Sequence, residues 1–336
     1  MTLADEDVAT IDAVQAAYAR GATPEEVVDA ALARVASCPD PAAWIKLRTR
    51  AALVAEAQLL DPARRDELPL WGVPFAVKDN IDCAGLPTTC AYRAREAAAA
   101  TRDAFVVSRL RAAGAIPLGK TNLDQFATGL VGVRSPYGIP RCVFDADYVS
   151  GGSSSGSAVA VARGHVPFAL GTDTAGSGRV PAAFNHLVGV KPTRGLLGTS
   201  GVVPASRSLD CVSVFAASVA EADLVRRVAQ ALDPDDAYAR PAAMRPLPAA
   251  CATLGVLAAA DREFFGDGHA ANLYERALEV VASLGHTLRE IELAPFRDAA
   301  RLLYGSAWVA ERLAALEDAV GDDLTALEPA LRAILL

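Results

Sequence analysis

The sequence is poor in the residues that staple or metallate a chain. Its six cysteines, Cys38, Cys83, Cys90, Cys142, Cys211 and Cys251, are scattered with no Cys-x-x-Cys pair. In 336 residues that pattern reads as reduced thiols, and excludes a disulfide framework or a cysteine zinc site. The four histidines, His165, His186, His269 and His286, lack metal-ligand spacing, so no metal site is expected; the mechanism implied below calls for no organic cofactor either. No apolar run approaches the roughly 18 uncharged residues of a membrane span. The start, Met1-Thr2-Leu3-Ala4-Asp5-Glu6-Asp7, has no apolar region of a signal peptide, and a cytoplasmic location is the expectation. No Lys/Arg block occurs, and a net charge of −8 with a pI near 5.1 argues against a nucleic-acid partner. Neither phosphate-cradling glycine signature is present, and we find no internal repeat.

What the chain has is bulk and alternation. An apolar fraction of 52% can bury a large core, and abundant alanine favours helices. Thr23-Pro24-Glu25-Glu26 is a helix start: a threonine cap, proline in the first turn, acids at the positive dipole end. Residues 4 to about 60 read as helices. The run Trp71 to Lys78 reads as a buried strand, 103–113 as a helix, 115–120 as a strand, 156–163 as a helix and 168–171 as a strand. A helix over 219–232 is followed by a polar, proline-rich connection that includes Pro241 to Pro248. A strand at 254–257 and helices over 269–284 and 296–316 follow. The expectation is an α/β fold, a mixed and largely parallel twisted sheet with helices on both faces. Residues 1–60 form an N-terminal helical segment on a 61–336 core, a single domain overall.

The chemistry sits in short blocks. Lys78 lies in Val77-Lys78-Asp79-Asn80, behind the apolar run Trp71-Gly72-Val73-Pro74-Phe75-Ala76. Ser153 lies in Gly151-Gly152-Ser153-Ser154-Ser155-Gly156, and Ser177 in Gly171-Thr172-Asp173-Thr174-Ala175-Gly176-Ser177-Gly178-Arg179-Val180-Pro181. A serine hydroxyl is a weak nucleophile until a base takes its proton. A buried lysine can be that base, because desolvation disfavours its charged form. A second serine can pass the proton between them. The small residues Thr174, Ala175 and Gly176 let backbone N–H groups converge on a developing oxyanion. Taken singly, a Gly/Ser stretch reads as a flexible loop and Lys78 as a surface charge. Three blocks in order argue for a site.

These blocks resemble the amidase signature family from about Leu68 to Asp210. Residue by residue, the resemblance implies Lys78 as base, Ser153 as the bridging serine after a cis peptide bond, and Ser177 as the acyl-forming nucleophile. Gly151 and Gly152 are expected to line the substrate. Gly178 departs from the bulkier residue that many relatives carry there. A second set, Val131-Gly132-Val133-Arg134-Ser135-Pro136-Tyr137-Gly138, Leu187 to Gly195 and Val203 to Cys211, resembles the allophanate-hydrolase branch of that family. So does Tyr304-Gly305-Ser306-Ala307-Trp308-Val309-Ala310-Glu311-Arg312. There the resemblance implies that Tyr304 and Arg312 bind the carboxylate end of a small amide, allophanate. Positions i and i+8 on one helix lie within about 80° of each other, so both side chains could lean into one pocket. An arginine fork suits a planar carboxylate.

The implied function is amide hydrolysis with ammonia release, in urea degradation, by a homodimer. Another amidase of the family stays open, as do a partner-binding or dimerisation module and a phosphate-binding protein. The run Leu327 to Leu336 reads as a helix without a C-cap, and the family's amidase domain is expected to continue further than this chain.

Overall fold

The structure, a computed structural model, describes residues 3–241, 252–321 and 324–336. The proline-rich stretch after Pro241 and Cys251 lie outside the described residues. The chain divides into two compact units, Met1–Ala242 with Ala310–Leu336, and Ala243–Val309. The second falls inside the segment expected to form one continuous core.

The first unit opens with α1 (Ile11–Ala19) and α2 (Pro24–Ser37). Thr23 caps α2 through the anticipated box: its hydroxyl accepts from Glu26 N–H at 3.2 Å, and the Glu26 carboxylate accepts from Thr23 N–H at 2.9 Å. β1 (Trp44–Leu47), α3 (Arg50–Gln58), β2 (Pro74–Lys78), α4 (Phe105–Ala112) and β3 (Ile116–Thr121) follow. Then come α5 (Ser155–Ala162), β4 (Phe168–Thr172), α6 (Arg179–Phe184), β5 (Val188–Val190), β6 (Val212–Ala216) and α7 (Val219–Ala229). The sheet runs β1-β3-β2-β4-β6-β5. It is parallel at its centre, where β2 pairs with β3 and β4, and antiparallel towards both edges. The fold is thus mixed α/β.

Side-chain alternation along the central strands builds two cores. Phe75, Val77, Phe168 and Leu170 pack on one face with α1, α4 and α7, and the Phe75 and Phe168 rings stack at 5.1 Å. Ala76, Ile116, Leu118 and Ala169 pack on the other with α3 and the small residues of α5. Helices therefore cover both faces, as a sheet buried on both sides requires.

In the second unit β7 (Thr253–Leu257) pairs in parallel with β8 (Thr287–Ile291), joined through α8 (Gly268–Ser283) and followed by α9 (Ala294–Gly305). α10 (Ala307–Val320) carries the chain back into the first unit, where α11 (Pro329–Leu335) ends it. Leu316, Leu327, Leu331 and Leu335 pack there on Cys90, Tyr92 and Phe126.

The single helix expected over 296–316 is two. Ser306 takes an extended conformation, φ −141° and ψ −165°, and its hydroxyl bonds back to Leu302 O at 2.5 Å. A serine offers the backbone this alternative to a further helical turn. Tyr304 and Arg312 therefore lie on separate helices, and the i, i+8 argument that joined them does not apply. The edge strands β1, β5 and β8 are also additions to the expected elements.

Candidate active site

Lys78 ends β2, and alternation puts it on the Ala76 side of the sheet, beneath α5. Ser153 and Ser154 precede that helix, and α5 can approach closely because its residues are small. Lys78 is fully buried, and its Nζ lies 2.8 Å from Ser153 Oγ and 2.8 Å from Thr172 Oγ1. Asn80 Nδ2 also donates to Thr172 Oγ1, at 3.3 Å. No carboxylate touches Lys78 within ion-pair distance among the described residues. Burial lowers its pKa to about 7, against the opposing pull of the Asp124, Asp210 and Asp173 charges. A neutral amine has a lone pair, and the Ser153 hydroxyl can fill it.

The Gly152–Ser153 peptide bond is cis, as the family resemblance implies. Gly151 sits at φ +74°, where a side chain is strained. A Cβ on Gly152 would lie 2.3 Å from Asp124 Oδ2 and 2.6 Å from Gly132 N. Gly152 N–H donates to Leu130 O at 2.8 Å, so its amide serves the fold.

Ser177 precedes α6 and is nearly buried. Its hydroxyl points to Gly129 O at 3.4 Å, and among the described residues no hydrogen bond joins it to Ser153. Both serine loops nevertheless rest on the same segment, Gly152 through Leu130 O and Ser177 through Gly129 O. Asp173 builds the nucleophile loop from beneath. It accepts from Gly176 N–H at 2.6 Å, Gly178 N–H at 3.1 Å and Arg179 N–H at 3.2 Å, and it is ion-paired with Arg179 at 2.9 Å.

One expected donor is otherwise engaged here: Gly176 N–H donates to Asp173 Oδ1. The N–H groups of Thr174, Ala175 and Ser177 carry no hydrogen bond to a described residue. Thr174 is fixed instead by its side chain, whose hydroxyl donates to Asp210 Oδ1 at 2.5 Å. Burial raises the Asp210 carboxyl to about 6, and burial also raises Asp124, whose oxygens accept from Gly132 and Arg134 N–H.

Arg312 is buried on α10 and donates to Thr128 Oγ1 at 2.9 Å, one residue before Gly129. Tyr304 belongs to the second unit and is half-exposed. His165 accepts the Trp44 indole at 3.1 Å inside the core, a packing role. The residues that sequence reasoning passed over are Thr172, Asn80, Asp124, Thr128 and Asp210. Thr172, Asn80 and Asp210 lie within quoted motifs and Asp124 and Thr128 shortly before one, but none has a signal of its own, because its role is set by what it bonds.

A doubly covered α/β sheet with a buried lysine–serine pair and a second serine on a small-residue loop defines the amidase class of fold. The Amidase family model matches residues 26–333, and the chain belongs to the amidase family. It is 48% identical over 303 residues to the urea amidolyase of Lachancea kluyveri, across 89% of this chain and 16% of that protein. It is 42% identical over 281 residues to the amidase-family component of the glutamyl-tRNA(Gln) amidotransferase of Symbiobacterium thermophilum, across 80% of this chain and 57% of that one. The solved allophanate hydrolase of Kluyveromyces lactis matches with a TM-score of 0.89 at 42% identity, over 97% of this chain and 54% of that one. The chain thus spans about half the length of that solved relative and less than a fifth of the yeast urea amidolyase. No described helix is long and apolar enough to cross a membrane.

Proposed function

We propose that this chain is an amidohydrolase acting on allophanate, with Lys78, Ser153 and Ser177 as its reacting groups. The observation that carries the reading is a fully buried lysine, pKa about 7, held 2.8 Å from a serine hydroxyl with no carboxylate in ion-pair contact among the described residues. Neutral Lys78 takes the Ser153 proton as Ser153 takes that of Ser177. Ser177 turns from Gly129 O, where it rests in the free enzyme, towards Ser153. Such contacts commonly align only when substrate is bound. Its Oγ attacks the terminal amide carbonyl of allophanate. The amides of Thr174, Ala175 and Ser177 receive the oxyanion. The relay returns a proton to the leaving nitrogen, ammonia departs, and water hydrolyses the acyl-enzyme to release Ser177.

Arg312 serves the carboxylate of the substrate. Tyr304 joins it on the strength of the family motif alone. The likeness to urea amidolyases and to a solved allophanate hydrolase supports this substrate over others, and a cytoplasmic homodimer goes with the same reading. A second reading, the amidase component of a tRNA-dependent amidotransferase, is favoured by the 42% identity to such a protein. Ammonia release from allophanate, with urea, biuret, malonamate and glutamine as comparators, decides between them. Allophanate as the preferred substrate supports the first. Glutamine as the preferred substrate overturns it, and no turnover on any of the panel leaves a binding module.

A further inference from the structure

Two consecutive residues of α10 hold two different walls of the site. Glu311 accepts from Ser208 N–H at 2.6 Å and from Ser208 Oγ at 2.7 Å. Arg312 donates to Thr128 at 2.9 Å, beside the carbonyl on which Ser177 rests. Ser208 lies in a tight turn closed by Leu209 N–H and Asp210 N–H, both donating to Ser206 O at 2.9 Å. Asp210 seals the turn through Ala205 N–H at 2.9 Å and Ser206 N–H at 3.2 Å, and spends its remaining capacity on the Thr174 hydroxyl. Glu311, Ser208, Asp210 and Thr174 therefore form one continuous path, through hydrogen bonds and a short turn, from the helix to the nucleophile loop.

We propose that Glu311 is a positioning residue that couples α10 to the oxyanion-binding loop, through the Ser208–Asp210 turn and Thr174. The same helical turn that seats Arg312 then sets the direction of the Thr174 and Ala175 amides. The physical reason is reach. Thr174 and Ala175 donate no backbone hydrogen bond of their own to a described residue, and the Asp210 contact holds Thr174 from the side that Asp173 does not reach. Asp210 sits on a turn that the Glu311 carboxylate clamps at two points. Charge-assisted hydrogen bonds of this kind are directional and stiff. The idea rests on the amidase reading of Ser177 but not on allophanate as substrate.

The test is a double-mutant cycle between Glu311→Ala and Thr174→Val, read on acylation of Ser177 by a neutral activated ester, p-nitrophenyl acetate, and on ammonia release from allophanate. Each single change should slow ester acylation about tenfold, less than the loss of an oxyanion donor itself. The double variant should be no slower than Thr174→Val alone, because both act on one path. Glu311→Gln should recover most of the rate, since its amide oxygen still accepts from Ser208 N–H. Independent, multiplying losses would overturn the coupling. So would a Glu311→Ala variant that loses melting temperature, or raises KM for allophanate, with unchanged ester acylation. A wild type that is acylated but ignores allophanate sinks the substrate assignment while the cycle still reads the coupling. A wild type that is not acylated at Ser177 overturns both.

Discussion

Two lysines lie on adjacent central strands of this sheet, on its opposite faces, and they meet different partners. Lys78 on β2 and Lys120 on β3 are both fully buried, and their strands pair in parallel, with Val77 opposite Lys120. Lys120 finds a carboxylate: its Nζ is 3.0 Å from Asp79 Oδ1, with Pro87 O at 3.1 Å and Thr88 Oγ1 at 3.0 Å. Asp79 is itself held by Thr89 through both backbone and hydroxyl. Among the described residues, Lys78 is hydrogen-bonded to hydroxyls alone. Burial alone penalises a charge; burial with a partner retains it. Lys120 thus ties Asp79 and the 87–89 loop together through an ion pair and two further contacts, while Lys78 meets the Ser153 and Thr172 hydroxyls.

The largest expected effect breaks the comparison on the reactive side. Lys78→Met, Lys78→Arg and Ser177→Ala should each lower kcat for amide hydrolysis by about four orders of magnitude or more, as loss of one member of a coupled set does, with a wild-type circular dichroism spectrum. Arginine fails because it stays charged at any working pH. Substantial turnover by Lys78→Arg would make Lys78 an electrostatic contact and erase the contrast.

The next effect is on stability, and its sign should differ between the two lysines. Lys120→Met leaves the Asp79 carboxylate buried without its ion partner, a loss of about 3–5 kcal/mol that urea titration would show. Lys78→Met should leave stability unchanged or raise it near neutral pH. Its pKa in the fold, about 7, lies below that of an exposed lysine. Between those values the unfolded chain binds the extra proton, so stability gains with rising pH and the penalty is full below about 7. A Lys78→Met variant as unstable as Lys120→Met would show that both lysines are structural.

A third buried cation extends the set. Arg312 donates to the Thr128 hydroxyl, and the proposal gives it the substrate's carboxylate. Arg312→Ala should then reduce kcat/KM for allophanate by about 30- to 1000-fold, the worth of a desolvated charge-assisted contact. A neutral amide of similar size should lose much less. Equal losses on both substrates would return Arg312 to a packing role.

The smallest effect is titration. With Lys78 acting neutral, the acylation rate should rise about tenfold per pH unit below about 7 and level off above it. Single-turnover acylation from pH 5 to 9 measures this limb. A flat profile through 7 would mean that the lysine is not the proton acceptor.

Much of this was legible in the residues. The buried strand that delivers Lys78, the helix under the serine loop and the Thr23 cap all follow from patterns that repeat within a few positions: apolar runs, small residues and a threonine three residues before a glutamate. The break at Ser306 was not legible, because a lone serine in a helical pattern tips the backbone only when its hydroxyl finds a carbonyl. β1 was hidden by its half-exposed sequence, Trp44 to Leu47, whose pairing with β3 is a long-range event. The 174–177 loop was half legible: small residues marked it, but the hydrogen bond from Gly176 N–H to Asp173 required the loop to be seen closed.

By itself, then, the sequence determined which groups are available and roughly on which elements: a lysine at a strand end, two serines on glycine loops, and helices enough to bury them. Only the tertiary structure decided that Lys78 meets hydroxyls while Lys120 meets Asp79. A shifted pKa and a buried contact depend on partners far apart along the chain, such as Lys78 with Ser153 or Glu311 with Ser208. No local pattern encodes such partners, because it is the packing of the sheet and its helices that selects them.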